Sequence, residues 1–529
     1  MKTLTTIFIF LLSFTLTLHA QDFTVASGKT LTIEKSGSLT VGGAFSNSGT
    51  VTLNSDSNEF AVIKVSGSST GNITYNRYVN AVGTDEWDLI GSPVGAQTIS
   101  GFATTNTSGT ATLATSSAQY AIGVYDNELD TWDNYTSDGS GEGNVSAAGS
   151  FDIGKGYAMA SVSGGTGLLA FTGTISTSDE TQAITDNDAL NSGAGRIWNL
   201  VANPYPSYLN VNTNADGSNN ILTVNGTGNL HDTYVAVYGY DADGAGTEYT
   251  IYNQSSSATY LAPGQGFFVA SDDTGGTTIS FTEVMQTTTG SDDFISGDAM
   301  DDVFEVLLRL YHGNEEIAET RLYFEDGLSL GLDPGYDAGS FDENAALMTR
   351  LVEEDEGHGL AINAMSTEDM DDVVIPLEIN QTAGQEFRIN LHTSTIGQVN
   401  IYLEDTELGT LTLLNNENFV LTPSSDLSDA GRFYVHLTAD TLSGEEVNTS
   451  LLNAYKKVDN NYITIEGLAT QATSTEVSLY NILGTKVMDT TLDNTTNTQT
   501  ISTNGFSTGI YIIKLESGKN QLTKKLIVH

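Results

Sequence analysis

Gly327-Leu328-Ser329-Leu330-Gly331 has the spelling of the elbow that presents a hydrolytic serine. That chemistry needs a strand, a sharp turn and a helix, with an acid and a histidine arriving later to activate the hydroxyl. Here the segment runs into Asp333-Pro334-Gly335, a turn with no helix behind it, and His358, His392 and His436 each fall in a loop or an alternating strand. Gly28-Lys29-Thr30 imitates the close of a phosphate loop, but Phe23 stands where the first glycine is required. The seven histidines include no His-Glu-x-x-His pair and the chain has no cysteine, so neither a zinc site nor thiolate chemistry is expected. Carboxylates present the opposite problem. A glycosidase needs two of them facing across a cleft, and 66 acidic residues single out no such pair. The expectation is a protein that is not an enzyme, with no catalytic residues.

Two loops gather groups that could bind rather than react. "YDNELDTWDN" offers Asp126, Asp130 and Asp133, and "YDADGAGTEY" offers Asp241, Asp243 and Glu248. Converging loop oxygens suit calcium, but neither stretch follows the twelve-residue EF-hand order. Turn-forming Asp and Asn account for both, so no metal or other cofactor is expected and calcium is the alternative. The same loops carry aromatics. Trp132 with Tyr125 and Tyr135, and Tyr249 with Tyr252, could each form a flat platform for a sugar. Cross-strand packing is the plainer reading.

The elements that would position these groups are strands. Glycine (54), Thr, Ser, Asn and Asp abound in the 529 residues, and helix-forming runs are scarce. The fold class expected is all-β and multidomain, since so long a chain exceeds a single core. Antiparallel β-sandwich and solenoid-like modules should be followed by an immunoglobulin-like C-terminal β-sandwich. A formal charge of −47 repels phosphate backbones, so nucleic acid is excluded as a partner.

Along the chain, residues 21–80 open with Gly28-to-Ile33, Gly37-to-Val41 and Gly49-to-Leu53, each a turn feeding an alternating strand, as in solenoid-like rungs. A longer echo follows. "WDLIGSPV" from Trp87 is answered by "WNLVANPYP" from Trp198, and Gly154-Lys155-Gly156-Tyr157 by Gly264-Gln265-Gly266-Phe267. The offsets are 111 and 110 positions, so residues 81–180 and 186–295 read as two copies of one β repeat. Residues present in both copies should be structural: Trp87 and Trp198 as core anchors, and the Gly-x-Gly pairs as points of close backbone approach. Residues 300–440 alternate as an antiparallel sandwich of immunoglobulin-like size. Residues 441–459 read as a linker with a short helical turn near Leu451-Tyr455, and 460–529 as a terminal β domain.

Both termini look like addresses. Lys2, the apolar stretch Ile7 to Leu18 and Leu18-His19-Ala20 have the order of a secretory signal peptide over 1–20, too short to span a bilayer. At the other end stand Asn481 and Gly484, then Gly509 and Tyr511, then Lys514, and finally Lys524 and Lys525 before the last strand. This pattern resembles the C-terminal sorting domain of type IX secretion substrates in Bacteroidota. The duplicated Trp-Asn-Leu-Val-x-Asn-Pro-Tyr-Pro phrase likewise resembles a surface-protein module of unknown activity from that phylum. The resemblance implies export through the Sec translocon, periplasm and outer membrane by the type IX machinery, with removal of the tail by its sorting peptidase. It implies an extracellular or cell-surface location, with surface lipopolysaccharide as a partner of many such cargos. The function expected is structural or adhesive. A carbohydrate-binding surface module engaging extracellular glycans is the alternative, and a secreted hydrolase a more distant one.

Overall fold

The structure, a computed structural model, describes residues 17–83, 87–108, 112–187, 197–240, 249–272, 277–290, 304–342, 344–396, 399–428, 430–439, 452–456, 461–481, 484–518 and 520–528. It is all-β, as expected. Residues 1–16 of the expected signal, and most of the expected linker, lie outside the described residues.

Residues 17–78 form a three-sided solenoid. Thr17–Ala20, Ser38–Val41 and Val62–Val65 stack in parallel on one side, Phe23–Val25, Phe45–Asn47 and Ser69–Thr70 on the second, and Thr30–Ile33, Thr50–Asn54 and Asn72–Tyr78 on the third. Alternate residues point inward, so Val41, Phe45, Leu53, Ile63 and Tyr75 fill the core. Like side chains repeat up the stack, as in the parallel rings of Phe23 and Phe45, 6.3 Å apart. Leu168–Thr174 caps the third side with an antiparallel strand.

Two sheets follow, one of six strands and one of four, and four strands of the first share the order of the second. In the first it is Asp88–Ile90, Tyr157–Met159, Gln119–Asp126, Thr131–Thr136, and in the second Trp198–Ala202, Gly266–Ala270, Val237–Tyr240, Tyr249–Tyr252. Each sheet comes with a helix absent from the strand-based reading, Ile99–Thr107 and Ile221–Asn229. Their Gly-, Thr- and Asn-rich sequences have poor intrinsic propensity. They form because Thr98 and Asn220 cap them, accepting from Gly101 N at 3.2 Å and Thr223 N at 2.7 Å. A buried asparagine then ties each helix to a strand. Asn106 Nδ2 donates to Phe102 O and Ala170 O, and its Oδ1 accepts from Ala170 N. Asn225 does the same with Ile221 O, Ser280 O and Ser280 N.

The two sheets grip each other reciprocally. Gly156 N donates to Leu200 O at 3.1 Å, and Gly91 N to Gly264 O at 2.8 Å. A methyl group on Gly266 would sit 2.7 Å from the Leu89 backbone, and one on Gly91 would sit 2.3 Å from Ala202 Cβ. The Gly-x-Gly segment of each half therefore lies against the Trp-led strand of the other. The Asn-Pro-Tyr-Pro phrase is also a packing device. Asn203 Nδ2 donates to Ser207, Leu261 and Ala262 carbonyls, and the Tyr205 hydroxyl to Ser178 and Phe281 carbonyls.

Residues 304–438 make a single eleven-stranded sheet wrapped around one core, where the sequence suggests a sandwich of immunoglobulin-like size. It is antiparallel except where Glu315–Phe324 runs parallel to Leu360–Met365. The tail is a sandwich of a three-stranded and a four-stranded sheet over a common core. Its first strand, Asn453–Tyr455, pairs with Tyr462–Glu466, so these three residues, read as part of a helical turn, are extended, and Leu451 lies outside the described residues. The pairing captures Ala454 and Tyr455 as buried core residues, and that burial outweighs any local helical tendency.

Candidate functional site: an aromatic recess between the two sheets

The recess is built across strand register. Leu89, Ala158, Gly123 and Asn134 stand side by side on four neighbouring strands, because Leu89 pairs with Ala158, Ala158 with Gly123, and Gly123 with Asn134. Leu89, Ala158 and Gly123 form a low apolar floor, with the Asn134 amide at one end. Two residues along the same faces stand the tall ones: Trp87 beyond Leu89, and Trp132 beyond Asn134. Tyr240 and Tyr249, paired on the second sheet, close the opposite wall. These eight residues line an open recess of about 400 Å³.

The walls are held by further aromatics. Tyr125 packs on Trp132 at 5.3 Å, and both meet the buried Phe268 edge-on. Tyr249 lies against Phe268 at 6.0 Å and stacks on Phe341 at 3.9 Å. Phe341 also covers Trp198 at 4.4 Å, which leaves that tryptophan 4% exposed. Its counterpart Trp87 is half-buried and lines the opening, and Trp132 is 43% exposed. The Tyr125 hydroxyl donates to Asp130 at 2.7 Å, and burial, helped by Asp130, pushes its pKa well above the ordinary tyrosine value. Asn134 Nδ2 donates to Tyr120 O at 2.7 Å, which orients the amide.

Phe341 is delivered by a loop from the eleven-stranded sheet. Gly335 O accepts from Gln254 N at 2.8 Å, and Gly339 O from the Tyr238 hydroxyl at 2.8 Å. Asp337 anchors the loop internally, accepting from Asp333 N and Ala364 N, both at 2.7 Å. Burial nevertheless pushes the Asp337 carboxyl from 3.8 up to about 7. A carboxyl that holds its proton more tightly in the folded state stabilises the fold below its unfolded pKa. That contribution is lost as the pH rises through the folded value. Amide exchange across residues 333–342, corrected for its intrinsic pH dependence, is therefore expected to quicken between about pH 4 and pH 7 and to level off above. Asp337→Asn should flatten the change. A flat profile in the unaltered protein would mean that the two N–H donors outweigh burial.

The groups singled out in the sequence fall in three places. Trp132, Tyr125 and Tyr249 come together in the recess. Tyr135 and Tyr252 do not, because each sits an odd number of residues from its partner and points to the other face of its sheet, Tyr135 toward the first core and Tyr252 toward the second. Trp87, Tyr240, Asn134, Phe268 and Phe341 were not foreseen as parts of a site. Asp126 Oδ1 accepts from Glu128 N and Leu129 N as a turn former, Asp130 holds Tyr125, and Asp133 alternates away from Trp132. Asp241, Asp243 and Glu248 lie outside the described residues. Among the described residues no cluster of three or more His, Asp or Glu could hold a metal. Ser329 Oγ donates to Asp333 at 2.9 Å, His358 packs near His231 and Tyr234, and His436 is bonded to Glu404.

In the tail, Asn481 Oδ1 accepts from Thr485 N, and its carbonyl accepts from the N–H of Gly484, which has φ +75°. This is a tight turn that favours glycine at its end. The Tyr511 hydroxyl donates to Ser507 O at 2.8 Å over the buried core. Gly509 opens the strand that carries Tyr511 and Lys514, and Lys514 pairs with Glu516 at 2.7 Å on its surface. Lys524 is buried, and Lys525 pairs with Glu354.

A search of curated proteins finds no match. Residues 459–529 match the secretion system C-terminal sorting domain. The chain is thus a substrate of the type IX secretion machinery, with which its tail interacts, and is exported to the cell surface or extracellular space. Residues 7–437 match a family model described as a domain of unknown function (DUF8693). With most of its length inside that one match, the chain belongs to the DUF8693 family.

Proposed function

We propose that the exported chain is a noncatalytic adhesive protein of the cell surface that holds a neutral glycan in the aromatic recess. The observation that carries this reading is the recess itself: two indoles and two phenols rising from a flat floor, with an oriented amide at one end. Sugar rings have apolar faces and polar edges, and aromatic walls with a few fixed polar groups suit them. The charge of −47 favours a neutral ligand over a polyanionic one. None of the eight lining residues is a carboxylate, whereas glycoside hydrolysis calls for two. The reading includes delivery by the Sec translocon, tail removal by the sorting peptidase and retention on surface lipopolysaccharide.

The purified chain on a glycan array should give saturable binding and no hydrolysis products. Trp132→Ala and Tyr249→Ala should each weaken binding about tenfold, which corresponds to about 1.4 kcal/mol. Gly123→Val tests the floor without removing a wall. A Cβ there meets Ala158 Cβ at an ordinary 3.4 Å, and the added methyls would project into the recess. An array without signal, or binding that survives all three changes, would end this reading.

A further inference from the structure

The sorting domain does not hang free. Its first strand places Tyr455 beneath the Arg350 guanidinium of the eleven-stranded sheet, 4.6 Å from the ring centre. Arg350 is 2% exposed and bridges Glu378 at 2.8 Å and Asp355 at 3.5 Å. The Tyr455 hydroxyl donates to Glu466 at 2.7 Å, which carries the contact on into the tail core. Asn497 Nδ2 reaches back to Gly431 O at 3.0 Å. On the last strand, Asn520–Val528, the Lys524 ammonium donates to Asn453 at 3.0 Å and is 8% exposed, and Lys525 pairs with Glu354. A cavity of about 230 Å³, lined by charged groups such as Glu354, Asp355, Lys456 and Lys525 and by leucines such as Leu351 and Leu526, lies along this seam.

Two features mark the seam as one that can open. It is largely charged and polar, and buried Arg350 Nη2 and Asn453 Nδ2 have no hydrogen-bond partner, so docking leaves polar groups imperfectly paired. The two sides also differ in charge. Residues 459–529 hold five of the 19 basic residues and six of the 66 acidic ones, so nearly all the negative charge lies on the other side. The near-neutral tail meets that side through the half-exposed Lys525–Glu354 pair, and such a pair weakens with salt.

We propose that the Arg350 face is a docking surface for the chain's own sorting domain, and that docking masks the strand Asn520–Val528 until the tail is released to the secretion machinery. The released tail is the form the machinery binds, and the docked tail is a waiting state.

Acylation of the intact chain by a small amine reagent, read lysine by lysine by mass spectrometry, tests the docking. Lys524, at 8% exposed, should react at least tenfold more slowly than the half-exposed Lys514. Tyr455→Ala, Glu354→Lys, or salt at about 1 M, where the screening length is about 3 Å, should raise the Lys524 rate toward that of Lys514. Equal rates in the unaltered chain would overturn the proposal. So would protection that survives both substitutions, because the tail's own fold would then be the cause. Secretion tests the masking: the two variants should appear outside the cell several-fold faster, and an unchanged or slower appearance, with Lys514 labelled as before, would overturn it.

Discussion

Phe268→Ala is expected to cost about 3–5 kcal/mol of stability and, with it, the glycan binding proposed for the recess. The ring is 1% exposed and touches both halves of the recess: Tyr125 at 5.1 Å and Trp132 at 6.3 Å on one side, Tyr249 at 6.0 Å and Phe341 at 5.3 Å on the other. Truncation removes the transfer energy of a buried ring and leaves a void that two sheets, locked to each other by backbone contacts, cannot collapse to fill. The walls would then lose their common support. Chemical unfolding followed by tryptophan fluorescence should show the loss, and amide exchange should rise in Trp198–Ala202 and Val237–Tyr240. A cost below about 1 kcal/mol would mean that the site relaxes freely and that Phe268 is not the hub.

Arg350→Ala should be about as damaging, at about 3–5 kcal/mol, for an electrostatic reason. The Asp355 carboxylate is 1% exposed and that of Glu378 is 9% exposed, so neither can fall back on water when its cation goes. The stability lost is therefore that of stranded charge more than of a broken contact. Changing Arg350 to Met together with Asp355→Asn and Glu378→Gln should recover most of it, since neutral groups strand no charge. Urea titrations of the single and triple variants decide the point. A triple variant no more stable than Arg350→Ala would show that packing against Tyr455, not charge, is what the residue supplies.

What could be read from the chain alone was local. The tail motif is a run of turn, strand and hairpin within 70 residues, and Asn481, Gly484 and Tyr511 take up the turn and core places such a motif needs. The Gly-x-Gly pairs could be read as close approaches because only glycine fits them. The solenoid was harder to see. Gly28-to-Ile33 and Gly49-to-Leu53 do stack, but Gly37-to-Val41 belongs to another side, so the visible spacing mixes two faces. The recess could be read only through its aromatics Trp132, Tyr125 and Tyr249. Its floor exists only once Leu89, Ala158, Gly123 and Asn134 come into register, and its outer support, Phe341, arrives from a different sheet. Trp87 and Trp198 occupy matching positions in the echoed phrase, yet only one of them is covered. That difference comes from a contact more than a hundred residues downstream of the second.

The interlocked glycines bear on how such a protein can change over evolutionary time. A solenoid accepts another rung at its end, because every rung offers its successor the same surface. Two sheets that clasp hands leave no hand for a third. This arrangement can diversify only by remodelling the lip where the partners meet, which is also where a new ligand would be chosen.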